Sequence, residues 1–310
     1  AAGNAVIAKP ADQTPLIANA AVQLLHEAGV PRSALQLLPG SGSKVGAAIT
    51  SDPRVNGVCF TGSTDTAQRI RKAMSEHMAP GTALIAETGG LNAMIVDSTA
   101  LPEQAVTAIV ESSFQSAGQR CSALRCLYVQ EDIADTVLEM LIGAVKELNL
   151  GDPWDYATDS GPVIDAGAQA EIAAHIAQAQ KDGRVIFQSK TPQSGTFIAP
   201  TMIKVGGIED LEQEIFGPVL HVAPFDDEEE AIALANDTVY GLGTSIWTEN
   251  ISRAHRVAPR IRVGHAWINS WQIRDLLSPL SGAGASGLGE EGGKLSLEFV
   301  SQPQTVTVRI

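Results

Sequence analysis

One cysteine of the sequence has neighbours that suit a nucleophile. Cys121 follows Ser116-Ala117-Gly118-Gln119-Arg120, a lead-in with small residues and a glycine. This pattern predicts an accessible thiol close to backbone N–H groups, which lower the pKa of a cysteine and increase its thiolate fraction. The alternative is an inert buried cysteine. We assign that alternative to Cys59 and Cys126, because both lie in apolar, strand-like segments.

A carboxylate that could act as a general base stands at the end of a predicted strand. Glu87 follows the apolar run Ala83-Leu84-Ile85-Ala86 and precedes Thr88-Gly89-Gly90. The carboxyl end of a parallel strand faces the crevice in which open α/β sheets bind ligands. There a carboxylate could deprotonate a thiol or a water molecule. On the pattern alone, a turn or helix N-cap carboxylate is the simpler interpretation.

Two further strand ends carry groups that could contact a nucleotide. Lys9 and Asp12 follow one predicted strand, and both could reach ribose hydroxyls. Gly62 and Ser63 end another strand and open a helix, whose first N–H groups can bind phosphate. The sequence contains neither a GxGxxG motif nor a Walker loop, so each of these signals is weak by itself.

The elements that must position these residues alternate between strand and helix. The predicted strands are 5–8, 35–38, 57–61, 83–86, 127–129 and 266–268, and the predicted helices are 15–28, 43–49, 65–77, 102–116 and 132–148. The rhythm of the first four strands predicts a parallel sheet covered on both faces. The sequence therefore predicts an α/β fold, with a glycine-dense loop at 282–293.

Composition excludes several classes of protein. The 310 residues are 44% hydrophobic and 18% charged, which is typical of globular chains rather than disordered ones. Lys and Arg number 21 against 35 Asp and Glu, and the resulting net charge of −14 repels phosphate backbones, so we expect no nucleic-acid partner. No apolar run approaches the roughly 18 residues of a membrane span, so we expect no membrane partner. Three cysteines without metal-type spacing predict no metal site and favour a reducing cytoplasm.

Five short motifs occur in an order that resembles the aldehyde dehydrogenase superfamily over essentially the whole chain. They are Lys9-Pro10-Ala11, Phe60-Thr61-Gly62-Ser63, Glu87-Thr88-Gly89-Gly90, Gly118-Gln119-Arg120-Cys121 and Glu214-Ile215-Phe216-Gly217-Pro218-Val219. Residues 3–195 resemble the L-glutamate γ-semialdehyde (pyrroline-5-carboxylate) dehydrogenase module of proline-utilization proteins. Residues 200–310 are more similar to 2-hydroxymuconic semialdehyde dehydrogenases. A chimera and a divergent natural subfamily are both compatible with this split.

The resemblance implies a fold, a reaction and a cofactor. The fold is a partial Rossmann-type NAD-binding domain at 1–86, an α/β catalytic domain at 87–290 and a tail at 291–310 that carries an oligomerisation-type strand. The reaction is the NAD-dependent oxidation of an aldehyde through a thiohemiacetal and a thioester on Cys121, with Glu87 activating the hydrolytic water. The implied cofactor contacts are Lys9 and Asp12 with the adenosine ribose, Gly62 and Ser63 near the pyrophosphate, Glu214 with the nicotinamide ribose, and Phe216 beside the nicotinamide.

The resemblance also implies a substrate that carries a carboxylate, such as L-glutamate γ-semialdehyde, with a 2-hydroxymuconic-type semialdehyde as the alternative. Phe114 is the implied contact to the rest of the substrate. Two candidates could bind the carboxylate. One is Arg274, whose planar guanidinium suits a bidentate contact, although a surface ion pair with Asp275 is an equal alternative. The other is the backbone of the glycine-rich loop, with Gly282, Gly284 and Ser286.

The sequence departs from the family pattern in three places. Asp12 replaces the ribose-contacting Glu, and Pro279-Leu280-Ser281-Gly282 replaces Pro-Phe-Gly-Gly. The family's N-terminal portion, which carries an oxyanion-hole Asn, a first Rossmann strand and a hairpin, is not visible in the sequence. Loss of one oxyanion donor costs about 3 kcal/mol of transition-state stabilisation. A catalytically impaired chain that only binds nucleotide or self-associates is therefore the second functional hypothesis.

The end of the chain alternates with a period of two residues. Thr305–Ile310 places Val306, Val308 and Ile310 on one face, which predicts a strand. Without a partner hairpin, such a strand exposes an unpaired edge, and we expect self-association into a homo-oligomer through it. The alternative is that the tail folds back onto its own domain.

Overall fold

The computed structural model describes residues 2–211 and 213–309, which divide into two compact units. The first unit contains the chain up to Glu87, Leu276–Leu280 and the chain from Leu288 onward. The second contains Thr88–Asp275 and Ser281–Gly287. The predicted boundaries at 86 and 290 differ from this division chiefly because the segment after Leu288 packs within the first unit. Asn4 Nδ2, for example, donates a hydrogen bond of 2.7 Å to the Val300 carbonyl.

Strands and helices alternate along most of the chain. The strands are β1 (Val6–Ala8), β2 (Leu35–Leu37), β3 (Gly57–Thr61), β4 (Ala83–Glu87), β5 (Asn92–Val96), β6 (Leu124–Gln130), β7 (Val185–Gln188), β8 (Thr201–Lys204), β9 (Val219–Phe225), β10 (Gly243–Trp247), β11 (His265–Ile268) and β12 (Gly287–Leu288). The helices are α1 (Pro15–Glu27), α2 (Ala47–Thr50), α3 (Thr64–His77), α4 (Pro102–Phe114), α5 (Glu131–Lys146), α6 (Ala166–Lys181), α7 (Glu228–Asn236), α8 (Ile251–Val257) and α9 (Gly293–Phe299).

The first unit holds its strands in two small sheets. β1 pairs with β2 in parallel, and β3 pairs with β4 in parallel, with β12 at the other edge of β4. The prediction of one continuous four-stranded sheet is therefore wrong for the described residues, although the parallel pairing is confirmed. The alternation of strand and helix fixes the direction of the strands but not which strands are neighbours. The helix predicted at 43–49 is present, but it begins as a wide π-helical turn at Gly42–Gly46 and continues as the four-residue α2.

The second unit is built on one seven-stranded sheet, in the order β11-β10-β5-β6-β9-β8-β7. Every neighbouring pair is parallel except β7 with β8. β5 alternates between two hydrophobic cores: Ala93 and Ile95 belong to one, and Met94 and Val96 to the other. A strand buried on both faces reads as a continuous apolar run, which explains why its sequence shows no alternation. Among the described residues, no helix is both long and apolar enough to cross a bilayer.

The tail differs from its prediction as a strand. Residues 301–309 form no ladder with any described residue, and the side chains of Val306 and Val308 are exposed. Ile310 lies outside the described residues. Alternation of residue types makes a segment suitable for a strand, but the strand also needs a partner with free N–H and C=O groups. Self-association through this segment stays a prediction.

A histidine pair links α6 to β9 in the second unit, with His221 buried and His175 half-buried. Nε2 of His221, in β9, lies 2.9 Å from Nε2 of His175, in α6. Nδ1 of His221 lies 3.1 Å from the carbonyl oxygen of Arg125. Because that carbonyl can only accept, Nδ1 of His221 carries the proton, and Nε2 accepts from His175. Burial, followed by the charge of a protonated His175, lowers the pKa of His221 from 6.5 to about 3.

The lowered pKa of His221 predicts an acid-dependent loss of stability. Between pH 6.5 and about 3 the unfolded state binds a proton that the folded state does not, so the free energy of unfolding falls as the pH falls. The expected loss from this residue is about 2 kcal/mol between pH 7 and pH 5. Denaturant titrations at both pH values should show a smaller difference for His221→Gln than for the unmodified chain. His255→Gln, on the exposed side of α8, is the control. An unchanged difference in His221→Gln would contradict the assignment.

Candidate active site

The loop that carries Cys121 has an unusual backbone. It begins where α4 ends, and Ser116, Ala117 and Gly118 have φ angles of 55°, 54° and 66°. Left-handed conformations of non-glycine residues cost of order 1–3 kcal/mol each and cluster at functional sites. Gly118 has a second constraint, because a Cβ atom there would lie 2.2 Å from the carbonyl oxygen of Gly217. The small residues that suggested a nucleophile therefore permit close contact with the Glu214–Val219 motif.

A buried asparagine holds the backbone at Cys121. Nδ2 of Asn92 donates to the carbonyl oxygens of Cys121, at 2.7 Å, and Ala123, at 2.8 Å. Its Oδ1 atom accepts from the N–H of Gly243 at 3.1 Å. Sequence reasoning did not assign Asn92 a role. The available signal was a polar residue at the start of the apolar strand β5, since a buried amide must satisfy its hydrogen bonds.

A glutamine bridges the two residues that flank Cys121. Arg120 Nη1 donates to Oε1 of Gln272 at 2.9 Å, and Nε2 of Gln272 donates to Oγ of Ser122 at 2.5 Å. Gln272 itself has a φ of 54°. This contact joins the nucleophile loop to the segment that leads to Arg274. Neither Arg120 nor Gln272 was singled out from the sequence, because their partners are about 150 residues away along the chain.

Glu214 lies against the loop that follows β4. The N–H of Gly90 donates to its carboxylate, and a Cβ atom at Gly89 would lie within bonding distance of Oε2. Only a glycine at position 89 therefore leaves room for this carboxylate. On its other side Arg125 Nη2 lies 3.3 Å from Oε1. Burial raises the pKa of Glu214, and the Arg125 charge and the Gly90 hydrogen bond oppose that rise.

Phe216 is partly exposed. Its residue is 43% exposed, and the guanidinium carbon of Arg125 lies 5.4 Å from the ring centroid. A cation at this distance attracts the electron-rich face of an aromatic ring. The contact holds one side of Phe216 while part of the ring faces solvent, which is the arrangement that a planar ligand would need.

The first unit contains the remaining predicted nucleotide contacts. Lys9 Nζ lies 3.0 Å from Oδ1 of Asp12, so the two groups form an ion pair. Ser63 is the N-cap of α3, and its Oγ accepts from the N–H of Thr66 at 3.3 Å. Gly62 donates its N–H to the carbonyl oxygen of Glu87 at 3.1 Å. Within this unit, the end of β4 and the exposed N-terminus of α3 are therefore neighbours, and the Glu87 side chain is buried.

Two predicted substrate contacts occupy structural positions instead. Phe114 is 1% exposed within the hydrophobic core beneath α4, a placement that supports packing rather than contact with substrate. Ser286 is fully buried, and its Oγ accepts from the N–H of Gly241 at 2.9 Å. Its carbonyl accepts from the N–H of Thr88 at 3.0 Å. An apolar or small residue near a motif cannot be assigned to the core or to the pocket from sequence alone, because both environments accept it.

The other predicted substrate residues lie on the surface of the second unit. Arg274 is exposed, and its charge, after burial, contributes to lowering the pKa of His265. His265 stacks on Trp267, whose Nε1 donates to the Ile273 carbonyl at 2.9 Å, so the segment before Arg274 is held in place. Gly284 is exposed and Gly282 is half-buried.

Thiol reactivity should separate Cys121 from the other cysteines. Cys126 is buried, as predicted, but Cys59 is exposed, and its assignment as a buried cysteine is wrong because β3 is only partly covered. Desolvation and the charge of Glu291 raise the pKa of Cys59. We therefore expect limited iodoacetamide treatment near neutral pH to label Cys121 first, and Cys59 only as the pH increases. Peptide mapping measures this order, and dominant early labelling of Cys59 or Cys126 would contradict it.

Comparison with known proteins identifies the family of the chain. Residues 1–306 match the aldehyde dehydrogenase family, and the chain belongs to that family. Its mixed α/β fold matches solved structures of the family, as the sequence predicted.

Among its relatives, the bifunctional protein PutA of Escherichia coli (strain K12) is 46% identical over 308 residues, which cover 94% of this chain and 23% of that protein. The 2-hydroxymuconic semialdehyde dehydrogenase of Pseudomonas putida is 37% identical, and the match covers all of this chain and 65% of that enzyme. The chain thus spans about a quarter of the bifunctional relatives and slightly less than two thirds of the semialdehyde dehydrogenases.

Two solved structures show the same fold. Proline utilization A from Bradyrhizobium japonicum superposes with a TM-score of 0.89 at 46% identity, covering 94% of this chain and 30% of that one. Betaine aldehyde dehydrogenase from Staphylococcus aureus, solved in complex with NAD+, has a TM-score of 0.89 at 34% identity, covering 95% and 59%. The predicted resemblance to both groups of semialdehyde dehydrogenases is confirmed.

Proposed function

We propose that this chain oxidises an aldehyde to the carboxylic acid, with NAD as the hydride acceptor and Cys121 as the nucleophile. The observation that supports this most directly is the contact between the loop that carries Cys121 and the loop that carries Glu214, at Gly118 and Gly217. This contact supports a site in the second unit that contains both Cys121 and Glu214. Family membership supports the same reaction class.

The chain's own residues account for the covalent steps. The Cys121 thiolate adds to the aldehyde carbon, and the oxyanion that forms is stabilised by the Cys121 backbone N–H. When bound, NAD accepts the hydride that leaves the thiohemiacetal carbon, and a thioester remains on Cys121. Glu87 removes a proton from water, which attacks the thioester and releases the acid and the thiol.

The residues on each unit fit the chemistry of NAD. Glu214 can accept hydrogen bonds from ribose hydroxyls, and the exposed part of Phe216 suits a planar ring. The exposed N-terminus of α3, with Gly62 and Ser63, offers N–H groups to phosphate. At the end of β1, Lys9 and Asp12 can bind ribose hydroxyls, and the Asp12 carboxylate repels a 2′-phosphate, which favours NAD over NADP.

A semialdehyde that carries a carboxylate, such as L-glutamate γ-semialdehyde, is the substrate class that we favour. Arg120 directly precedes the nucleophile, and its guanidinium is held by Gln272, two residues before Arg274. The two cations, Arg120 and Arg274, would attract an anionic substrate. The higher identity to PutA than to the 2-hydroxymuconic enzymes also favours this substrate over the alternative.

NADH formation with matched substrates tests the proposal. We expect a higher kcat/KM for L-glutamate γ-semialdehyde than for pentanal, which has the same chain length without the charges. Arg274→Leu should reduce this preference by roughly tenfold or more, because a charge-assisted contact is lost, whereas Arg54→Leu, on the exposed surface of the first unit, should not. Preference for a 2-hydroxymuconic-type semialdehyde would overturn the substrate assignment. Absence of NADH formation with every aldehyde would overturn the proposed reaction and favour the second hypothesis, a catalytically impaired chain that only binds nucleotide or self-associates.

A further inference from the structure

A single buried guanidinium joins the loop that carries Cys121 to the loop that carries Glu214. Arg125, in β6, is 0% exposed. Its Nη1 donates to the carbonyl oxygen of Gly217 at 3.1 Å, and its Nη2 donates to the carbonyl oxygen of Arg120 at 3.1 Å. The same Nη2 lies 3.3 Å from Oε1 of Glu214. Arg125 therefore contacts Arg120, which precedes Cys121, and Gly217, which follows Phe216. It also contacts the Glu214 carboxylate.

We propose that Arg125 is a positioning residue that sets both the thiolate fraction of Cys121 and the orientation of Glu214 and Phe216. Burying an arginine destabilises a fold unless other groups compensate its charge, so we expect negative or polar groups beside Arg125. Here the Glu214 carboxylate and the face of Phe216 contact the guanidinium, and a thiolate on Cys121 would add a second compensating charge. The planar fork of arginine lets one side chain serve two loops at once.

The charges around Arg125 favour this role. Burial lowers the pKa of Arg125, and the charges of Glu214 and of the Cys121 thiolate oppose that effect. The attraction is mutual, so the guanidinium stabilises the thiolate. His221 faces the backbone of Arg125 and contacts His175, and burial keeps both histidines neutral near pH 7. Glu214 is thus the negative charge in contact with the Arg125 guanidinium. The Glu214 charge offsets part of the effect of Arg125 on the Cys121 thiolate.

The proposal predicts different outcomes for two substitutions of the arginine. Arg125→Met should raise the pH midpoint of Cys121 alkylation by roughly one unit, and so slow alkylation near pH 7 by up to about tenfold. It should also weaken NAD binding. Arg125→Lys keeps a positive charge but not the forked contacts. It should restore most of the alkylation midpoint while NAD binding stays weak.

Two measurements on the full chain test these outcomes. Iodoacetamide labelling across a range of pH, followed at the Cys121 peptide, gives the alkylation midpoint. Calorimetric titration gives the affinity for NAD. The role given to Glu214 rests on the proposed function. Alkylation of Cys121 needs neither aldehyde nor NAD, so failure of the Arg125 proposal is distinguishable from failure of the proposed function. A purely structural arginine would lower the melting temperature without moving the midpoint, and that result would overturn the proposal.

A second variant keeps the test decisive if Arg125→Met does not fold. Glu214→Gln is nearly isosteric and removes the negative charge that opposes Arg125. We expect it to lower the alkylation midpoint of Cys121, because the guanidinium then acts on the thiolate without that offset. An unchanged or higher midpoint would show that the charge of Arg125 does not reach Cys121 and would overturn the proposal.

Discussion

Replacing Cys121 by alanine is expected to reduce aldehyde-dependent NADH formation by at least about a thousandfold. In the proposed mechanism the thiolate forms the bond to the aldehyde carbon, and the hydride leaves only from the adduct that this bond creates. The remaining architecture should persist, because Asn92 contacts the backbone carbonyl of Cys121 rather than its side chain. The measurement is the steady-state rate of NADH formation, with the melting temperature to confirm that the variant is folded.

The other cysteines supply the control for this prediction. Cys59 is exposed in β3, so Cys59→Ala changes an accessible thiol without touching the nucleophile loop. Its rate should stay within about twofold of the unmodified chain, which corresponds to less than 0.5 kcal/mol. A folded Cys121→Ala variant that still forms NADH at an appreciable rate would remove Cys121 from the mechanism.

Replacing Glu87 by glutamine is expected to slow turnover by about 100- to 10,000-fold while the first NADH formed per chain remains visible as a burst. The amide cannot accept a proton from water, so hydrolysis of the thioester becomes the slow step. Adduct formation and hydride loss need no base at that stage once the thiolate is present. Rapid mixing of chain, aldehyde and NAD measures the burst and the later steady rate separately.

A carboxylate elsewhere in the same unit distinguishes this effect from a change of overall charge. Glu76→Gln, near the exposed end of α3, makes the same substitution away from the end of β4. It should leave both phases unchanged. An unaltered steady rate in Glu87→Gln would exclude Glu87 as the hydrolytic base, and loss of the burst would assign it to an earlier step.

The sequence predicted much of the fold where local signals were strong. β3 has the predicted bounds, and α1 and α3 match their predictions to within one residue at each end. These elements combine clear start and stop residues, such as Pro15 at the first turn of α1 and Ser63 as the cap of α3. The ordered motifs identified the family, and the comparisons confirmed it.

The interior of the second unit was harder to predict. β5 and β10 are buried along their whole length, so they lack the alternation that marks a half-exposed strand. α6 has a small amphipathic contrast because alanines occupy both its faces. The exposure of Cys59 and the burial of Phe114 depend on tertiary packing, which a short apolar motif does not specify.

The supporting residues of the site were missed for a related reason. Most of the hydrogen bonds that Asn92, Arg125 and Gln272 make reach residues 29 to 152 positions away, although the bond from Arg125 to Arg120 spans only five. No local spacing rule connects such partners. Arg125 carried a usable signal, because an arginine within the apolar run of β6 must find partners if it is buried.

Mass spectrometry of the acyl-enzyme shows whether Cys121 carries the acyl group. Glu87→Gln would be mixed with aldehyde and NAD, quenched in acid within the burst and digested for peptide mapping. The Cys121 peptide should gain the mass of the aldehyde less two hydrogens, which are the hydride and the displaced thiol proton. No gain in mass should occur when NAD is omitted, because the thiohemiacetal is reversible and is lost on quenching. An acyl group on Cys59 or Cys126, or NADH formation without any adduct at Cys121, would contradict the account.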